Sequence, residues 1–199
     1  MDTSNKKLTT IFDENPYDLK EAAKKSRGWF EQQVLLLTRQ RLTPRKVLKN
    51  SGNELKARVL PGHMYMFMYN PKLREELPYY DRFPLVLPFA RTEGGFIGLN
   101  LHYLPQRHRA ILLDRLMSLA SNKKMDETTR IKYSWELIDG VSRFRFAKPC
   151  VKQYLSDHVR SQFRRIDASQ WATAVMLPVE QFVGSNKRAV WQDSMRKIR

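Results

Sequence analysis

The stretch 77-LPYYDRFPLVLPFARTEGGFIGLNLHYLP-105 decides the fold. Two apolar runs, 84–89 and 96–101, flank Thr92-Glu93-Gly94-Gly95, and paired glycines between short apolar runs read as a hairpin turn. Just upstream, 62-GHMYMFMY-69 alternates His63, Tyr65, Phe67 and Tyr69 with Met64, Met66 and Met68. That two-residue period is a strand's, and because both sets are apolar the strand is expected to be covered on both faces. The three runs predict an antiparallel sheet. Tyr79, Tyr80, Phe83 and Tyr103 invite a reading as a base-stacking platform. Their position beside aliphatic strands and proline stops makes them core and corner residues instead, and Asp81-Arg82 is expected to pin a turn.

Helical spacing surrounds this region. Asn15 as N-cap, Pro16 in the first turn, and Leu19, Ala22, Ala23, Trp29, Phe30, Val34 and Leu37 predict one helix over residues 16–40. A second starts at Thr43-Pro44 and stops at 50-NSGN-53. After the sheet, Pro105 opens a helix to Ala120, and further helices are predicted over 126–140 and 149–160. The run 172-ATAVMLPVEQF-182 reads as a strand, and Ser185 as the cap of a last, basic helix. Helices, strands, helices, strand, helix is an α+β order, with a small antiparallel sheet or partial barrel covered by helices and an N-terminal helical arm. The division expected is a basic helical arm over 1–58 and an α+β core domain over 59–199 that ends in a basic helix.

Charge narrows the function. Lys and Arg number 36 against 20 Asp and Glu, a formal net charge of +16. Such a field favours nucleic acid, an anionic surface or an acidic protein partner. The excess is concentrated in residues 1–58 and 143–199, and the middle is nearly balanced. The single cysteine, Cys150, cannot form an internal disulfide, which fits folding in a reducing cytoplasm. No window approaches membrane-span length, so a soluble protein with no membrane partner is expected.

Catalytic signatures are missing from the sequence. His63, His102, His108 and His158 are scattered, without a spacing that turns two imidazoles to one metal. Asp81, Glu93, Asp114 and Glu136 are the carboxylates a metal-dependent nuclease would recruit, yet no nuclease spacing relates them. Gly94, Gly95 and Gly98 do not lead into a phosphate-binding helix. The expectation is a non-enzyme without cofactor or metal.

Cations interleaved with aromatics are better represented. In 142-SRFRFAKP-149, Arg143 and Arg145 alternate with Phe144 and Phe146, so an extended segment would turn both guanidiniums to one side. With Lys148, Lys152, Arg160, Arg164 and Arg165, and with Lys187, Arg188 and Arg196 on the last helix, they form the candidate phosphate-binding set. Trp191 is expected to hold that helix to the core. The N-terminal segment adds Lys24, Lys25, Arg27 and others. Such a surface binds DNA phosphates without reading sequence and weakens steeply with salt.

The succession 61-PGHMYMFMYNPK-72, 77-LPYYDRFPLVLPF-89, 94-GGFIGLNLHYLP-105, 109-RAILLDRL-116, 146-FAKPCVKQYLSDHVRSQF-163 and the tail 190-VWQDSMRKIR-199 resembles a family of small virion, DNA-end-protector-like proteins of large contractile-tailed, myovirus-type bacteriophages. The resemblance spans about residues 60–196. It implies a late structural protein of the virion, in the host cytoplasm during assembly. Its implied place is near the head-tail junction, where the packaged DNA ends, or in tail assembly, and its implied partners are DNA and phage structural proteins. No catalytic residue comes with it. The alternative it leaves is a tail or baseplate subunit that touches only protein.

Overall fold

The computed structural model describes residues 8–49, 54–120 and 147–199. The predicted hairpin is its centre. β4 (Leu85–Thr92) and β5 (Gly95–Asn100) pair antiparallel from Thr92↔Gly95 to Val86↔Asn100, with a bulge between Pro88 and Ala90. The bulge accommodates a proline in the strand interior, where it cannot donate to a regular ladder. Each turn glycine has its own reason. Gly94 sits at φ +70°, the left-handed region. At Gly95 a Cβ would lie 2.0 Å from the Tyr154 carbonyl oxygen on the neighbouring strand.

Around the hairpin lies a six-stranded antiparallel sheet in the order β1-β7-β2-β4-β5-β6, open rather than closed into a barrel. β2 (Met64–Met66) pairs with β4 as the alternation predicts, with Tyr65 opposite Val86. β1 (Leu55–Lys56), β6 (Val151–Leu155) and β7 (Phe163–Ile166) complete the sheet. A second, two-stranded sheet pairs β3 (Tyr80–Asp81) with β8 (Phe182–Val183).

The doubly apolar strand is buried on both faces. Met64 and Met66, with Leu85, Leu87 and Leu99, point into a large core beneath the helices. Tyr65, Phe67 and Tyr69 point the other way into an aromatic cluster with Val86, Phe96, Tyr154 and Phe163. There the rings meet edge to face, Phe67 with Phe163 at 4.9 Å and Tyr69 with Tyr154 at 4.9 Å, an arrangement favoured by the ring quadrupoles. Phe83 and Tyr103 are buried, and Tyr79 packs its ring on Tyr103 and Phe182.

The helices depart from the periodicity in instructive ways. The predicted 16–40 helix is two helices, α2 (Leu19–Lys24) and α3 (Arg27–Thr38). Asp18 caps the first, accepting from Glu21 N–H, and Ser26 caps the second, accepting from Trp29 N–H. Lys25 at ψ 155° breaks the path between them. Asn15 is not a cap: its N–H bonds back to Ile11 and closes α1 (Leu8–Glu14). α4 (Pro44–Lys49) follows. These N-terminal helices bury Ile11, Phe12, Ala22, Phe30, Leu37 and Val47 in the same core as the sheet. Thr173 Oγ donates to the Asn15 carbonyl, tying the segment down.

α5 (Gln106–Ala120) forms where predicted, with Ala110, Leu113 and Leu116 buried. The segment predicted helical over 149–160 is instead strand β6 flanked by single 3-10 turns, because Val151 to Leu155 pairs along β5. The predicted strand over 172–182 opens as a helix, α6 (Trp171–Ala174). Gln170 turns back to accept from Asp167 N–H, and Trp171 Nε1–H donates to the Ile166 carbonyl. Only Phe182–Val183 at its end is strand. The last helix, α7 (Lys187–Ile198), is capped by Asn186, which accepts from Ala189 N–H, one residue beyond the predicted Ser185. The helix predicted over 126–140 and the segment 142–146 lie outside the described residues.

Gly95→Ala is expected to cost about 2–3 kcal/mol, because the methyl meets neighbouring backbone that cannot move aside as a side chain would. Gly94→Ala, which meets no atom, is expected to cost about 1 kcal/mol of backbone strain. Urea unfolding of the two variants checks the order.

Candidate nucleic-acid interface

Five buried polar side chains join the sheet to the helices. The Asp81 carboxylate accepts from His102 Nδ1–H at 2.7 Å, from Asn100 Nδ2–H at 3.1 Å, and from the backbone N–H of Phe83 and Gln181. The turn expected at Asp81 is thus pinned from three parts of the chain. Arg109 on α5 is fully buried and donates Nε–H to the Leu104 carbonyl at 2.7 Å and Nη1–H to the Val175 carbonyl at 3.2 Å. Glu180 lies 3.7 Å from Arg109 and 3.4 Å from the Lys187 ammonium.

Burial alone would raise both carboxyls of this frame. At Asp81 the neighbouring His102 and the hydrogen bonds outweigh it, and at Glu180 the Arg109, His102 and Lys187 charges do, so both are held below the usual carboxylate range.

Trp191 on α7 rests on this frame. Its Nε1–H donates to the His102 carbonyl at 2.9 Å. The Arg109 guanidinium and the Lys187 ammonium lie 5.5 Å and 5.7 Å from its ring centroid, within cation–π range. A second tether runs from the Tyr79 hydroxyl to the Asp193 carboxylate, which Lys197 also bonds at 2.7 Å.

α7 is thereby held beside α3 and the start of α5, and the three enclose a cleft of about 1350 Å³. Phe30, Val34, Trp191 and Met195 supply its apolar lining. Arg27, Arg107, Lys187, Arg188, Arg196 and Arg199 also line it, six cations among the described residues against the one carboxylate of Glu31, which Arg27 bonds at 2.8 Å. His108 on the wall is held below its ordinary pKa by burial and by Arg107. The volume exceeds the about 300–1,000 Å³ of small-molecule pockets. Exposed guanidiniums over an apolar, aromatic lining suit a polyanion with flat apolar faces.

The family model of the phage T4 terminal DNA protecting protein matches residues 19–197. The chain belongs to this family. No curated protein and no solved structure matches it. The match takes in α3, α5 and all of α7 but its last residue, leaving Arg199 of the cleft outside it, and it reaches further toward the N-terminus than the resemblance over 60–196.

In this terminal DNA protecting protein family member, the predicted phosphate ligands are scattered. Lys187, Arg188 and Arg196 share the cleft. Lys148 and Arg160 are exposed elsewhere. Lys152 lies over the Tyr103 ring at 4.2 Å, and burial lowers its pKa. Arg164 is fully buried in an ion pair with Glu54, inside the sheet and away from any surface ligand. Its neighbour Arg165 is half-buried and pairs with Asp167 at 3.2 Å. Arg143 and Arg145 lie outside the described residues. Arg107 was missed. It follows Pro105 at a helix start, in a segment whose charge is nearly balanced, and only its position beside α3 and α7 brings it to the cleft.

The carboxylates considered for a nuclease do not converge. Asp81 belongs to the buried frame, Glu93 is exposed in the hairpin turn, and Asp114 is on α5; Glu136 lies outside the described residues. Among the described residues no three His, Cys, Asp or Glu side chains are grouped to hold a metal ion, and no helix there is long and apolar enough to cross a membrane.

Glu180→Ala is expected to destabilise by about 3–5 kcal/mol, because it leaves Arg109 buried without its carboxylate. Glu31→Ala, which breaks an exposed pair, is expected to change stability far less. Both are read by chemical unfolding. A pH dependence follows from the depressed carboxyls. The stability that Asp81 and Glu180 contribute is fully present above their unfolded values of about 4 and is lost as pH falls through their lower folded values. Urea midpoints measured from pH 6 down to pH 3 are expected to fall, and to fall less steeply in Asp81→Asn.

Proposed function

We propose that the protein binds the end of duplex DNA in the cleft between α3, α5 and α7, by phosphate contacts that do not read base sequence. The single observation behind this reading is the six-cation lining over Trp191 and Phe30, in a member of a terminal DNA protecting family. Guanidiniums and an ammonium on exposed stems fit phosphate oxygens, and contacts to phosphate position a duplex without reading its sequence. The reading gives the protein a binding role rather than a catalytic one. It works in the virion, at the packaged DNA terminus near the head-tail junction, after assembly in the host cytoplasm.

Protection follows from occupancy. A terminus seated between three helices is shielded from any nuclease that must thread or grip that end. The purely structural alternative, a tail or baseplate subunit that meets only protein, gives the cleft's charge to acidic neighbours, and the family match to a terminal DNA protecting protein favours DNA over it.

The test is a salt titration of binding to a short blunt duplex, with a covalently closed circle as competitor. The logarithm of affinity is expected to fall linearly with the logarithm of salt. Arg188→Ala and Arg196→Ala together are expected to reduce that slope by about 2. Linear duplex is expected to outcompete the closed circle, and to resist exonuclease while bound. No binding at low salt, or a slope unchanged in the double variant, defeats the proposal.

A further inference from the structure

The opposite face of the sheet carries a second cleft, of about 520 Å³. Phe96 and Phe163 of the aromatic cluster reach it, and Val59 and Val159, packed on that cluster, line it with Pro61 and Pro88. Leu60 on its wall is 51% exposed. Among the described residues, the charged ones in the lining are Arg58 and Arg91, with no carboxylate. Both are exposed, and neither has an ion-pair partner among the described residues.

This cleft is not an extension of the first. The helices that form the basic cleft pack on the core containing Met64 and Met66, whereas this one opens over Tyr65 and Phe67's side of the same strand. Nucleic acid fits it poorly. Phe96 is stacked on Tyr154 at 5.3 Å, and Phe163 packs against Phe67, so the rings are committed internally and offer no base platform. Two arginines around prolines and aliphatics are too few to track a phosphate backbone.

An apolar depression with two guanidiniums beside it matches a short peptide that carries both aliphatic side chains and carboxylates. The volume lies within the about 300–1,000 Å³ of ordinary ligand pockets, and arginine pairs bidentately with carboxylate. We infer that this face docks an acidic, aliphatic-bearing segment of a partner protein. The chain would then hold DNA on one face and a protein on the other, and the inference stands independently of the DNA reading.

The test is selection of a random-peptide library against immobilised full-length protein, followed by fluorescence anisotropy of the enriched peptides. Enriched sequences are expected to combine Asp or Glu with Leu, Ile, Val or Pro. Their affinity is expected to drop about tenfold, equivalent to about 1.4 kcal/mol, in Arg58→Gln/Arg91→Gln. Leu60→Ser is expected to weaken them as well, while saturating duplex DNA leaves them bound. All three positions are exposed, and an unchanged urea midpoint confirms that each variant folds. Enrichment of basic or uncharged peptides, affinity unaffected by the arginine changes, displacement by DNA, or no enrichment at all would each overturn the inference.

Discussion

The hydrogen bond from Trp191 Nε1–H to the His102 carbonyl is the joint on which the functional surface depends. Seen from the sheet, His102 is fixed by Asp81, and Asp81 by donors from Asn100, Phe83 and Gln181. On the helical side, Arg109 fixes the carbonyls of Leu104 and Val175, and Glu180 joins it to Lys187. A buried guanidinium and two buried carboxylates are costly to desolvate, and they are tolerated because each meets opposite charge or hydrogen-bonding partners. The constraint has a geometric result: a strongly basic helix is held close to other basic segments, against their mutual repulsion.

That result accounts for how the cleft concentrates charge. Arg27, Arg107, Lys187, Arg188, Arg196 and Arg199 come from three separated parts of the chain. Like charges brought together raise the local potential that a polyanion feels. Trp191 serves both sides of this arrangement, since its indole N–H faces the frame while Arg109 and Lys187 lie over its ring. Lys187 likewise belongs to both, pairing with buried Glu180 while lining the cleft.

What was legible in the sequence is what is encoded locally. The hairpin was visible because Gly94 and Gly95 mark the turn and both flanking runs are short and apolar. The two-faced strand was visible because Met and aromatic residues alternate, α5 because Pro105 precedes an apolar helical spacing, and α7 because a cap residue, placed one position early, precedes another. β6 was hidden because Val151, Leu155 and Val159 fit a helical spacing, and only pairing with β5, far away in the chain, makes the segment a strand. The same failure disguised Arg164 and Arg165: once they lie on a strand, neighbours face opposite ways, and one is buried while the other reaches the surface. The cleft itself was half legible. Lys187, Arg188 and Arg196 announce a basic helix, but nothing near Arg27 or Arg107 says that packing will carry them to it. Of the buried frame, only Asp81's pinning of a turn was visible, since its convergence with His102, Arg109 and Glu180 arises only through the tertiary fold.

The central claim is that the terminus-binding surface is the cleft between α3, the start of α5 and α7. Hydrogen exchange of the full chain with and without a short blunt duplex tests it most directly, because it locates the contact without altering a residue. Slowed exchange is predicted in α3, in the first turns of α5 and along α7, with the strands around the Phe96 and Phe163 face unchanged. Protection confined to that opposite face, or none in α7 when DNA is bound, would contradict the account.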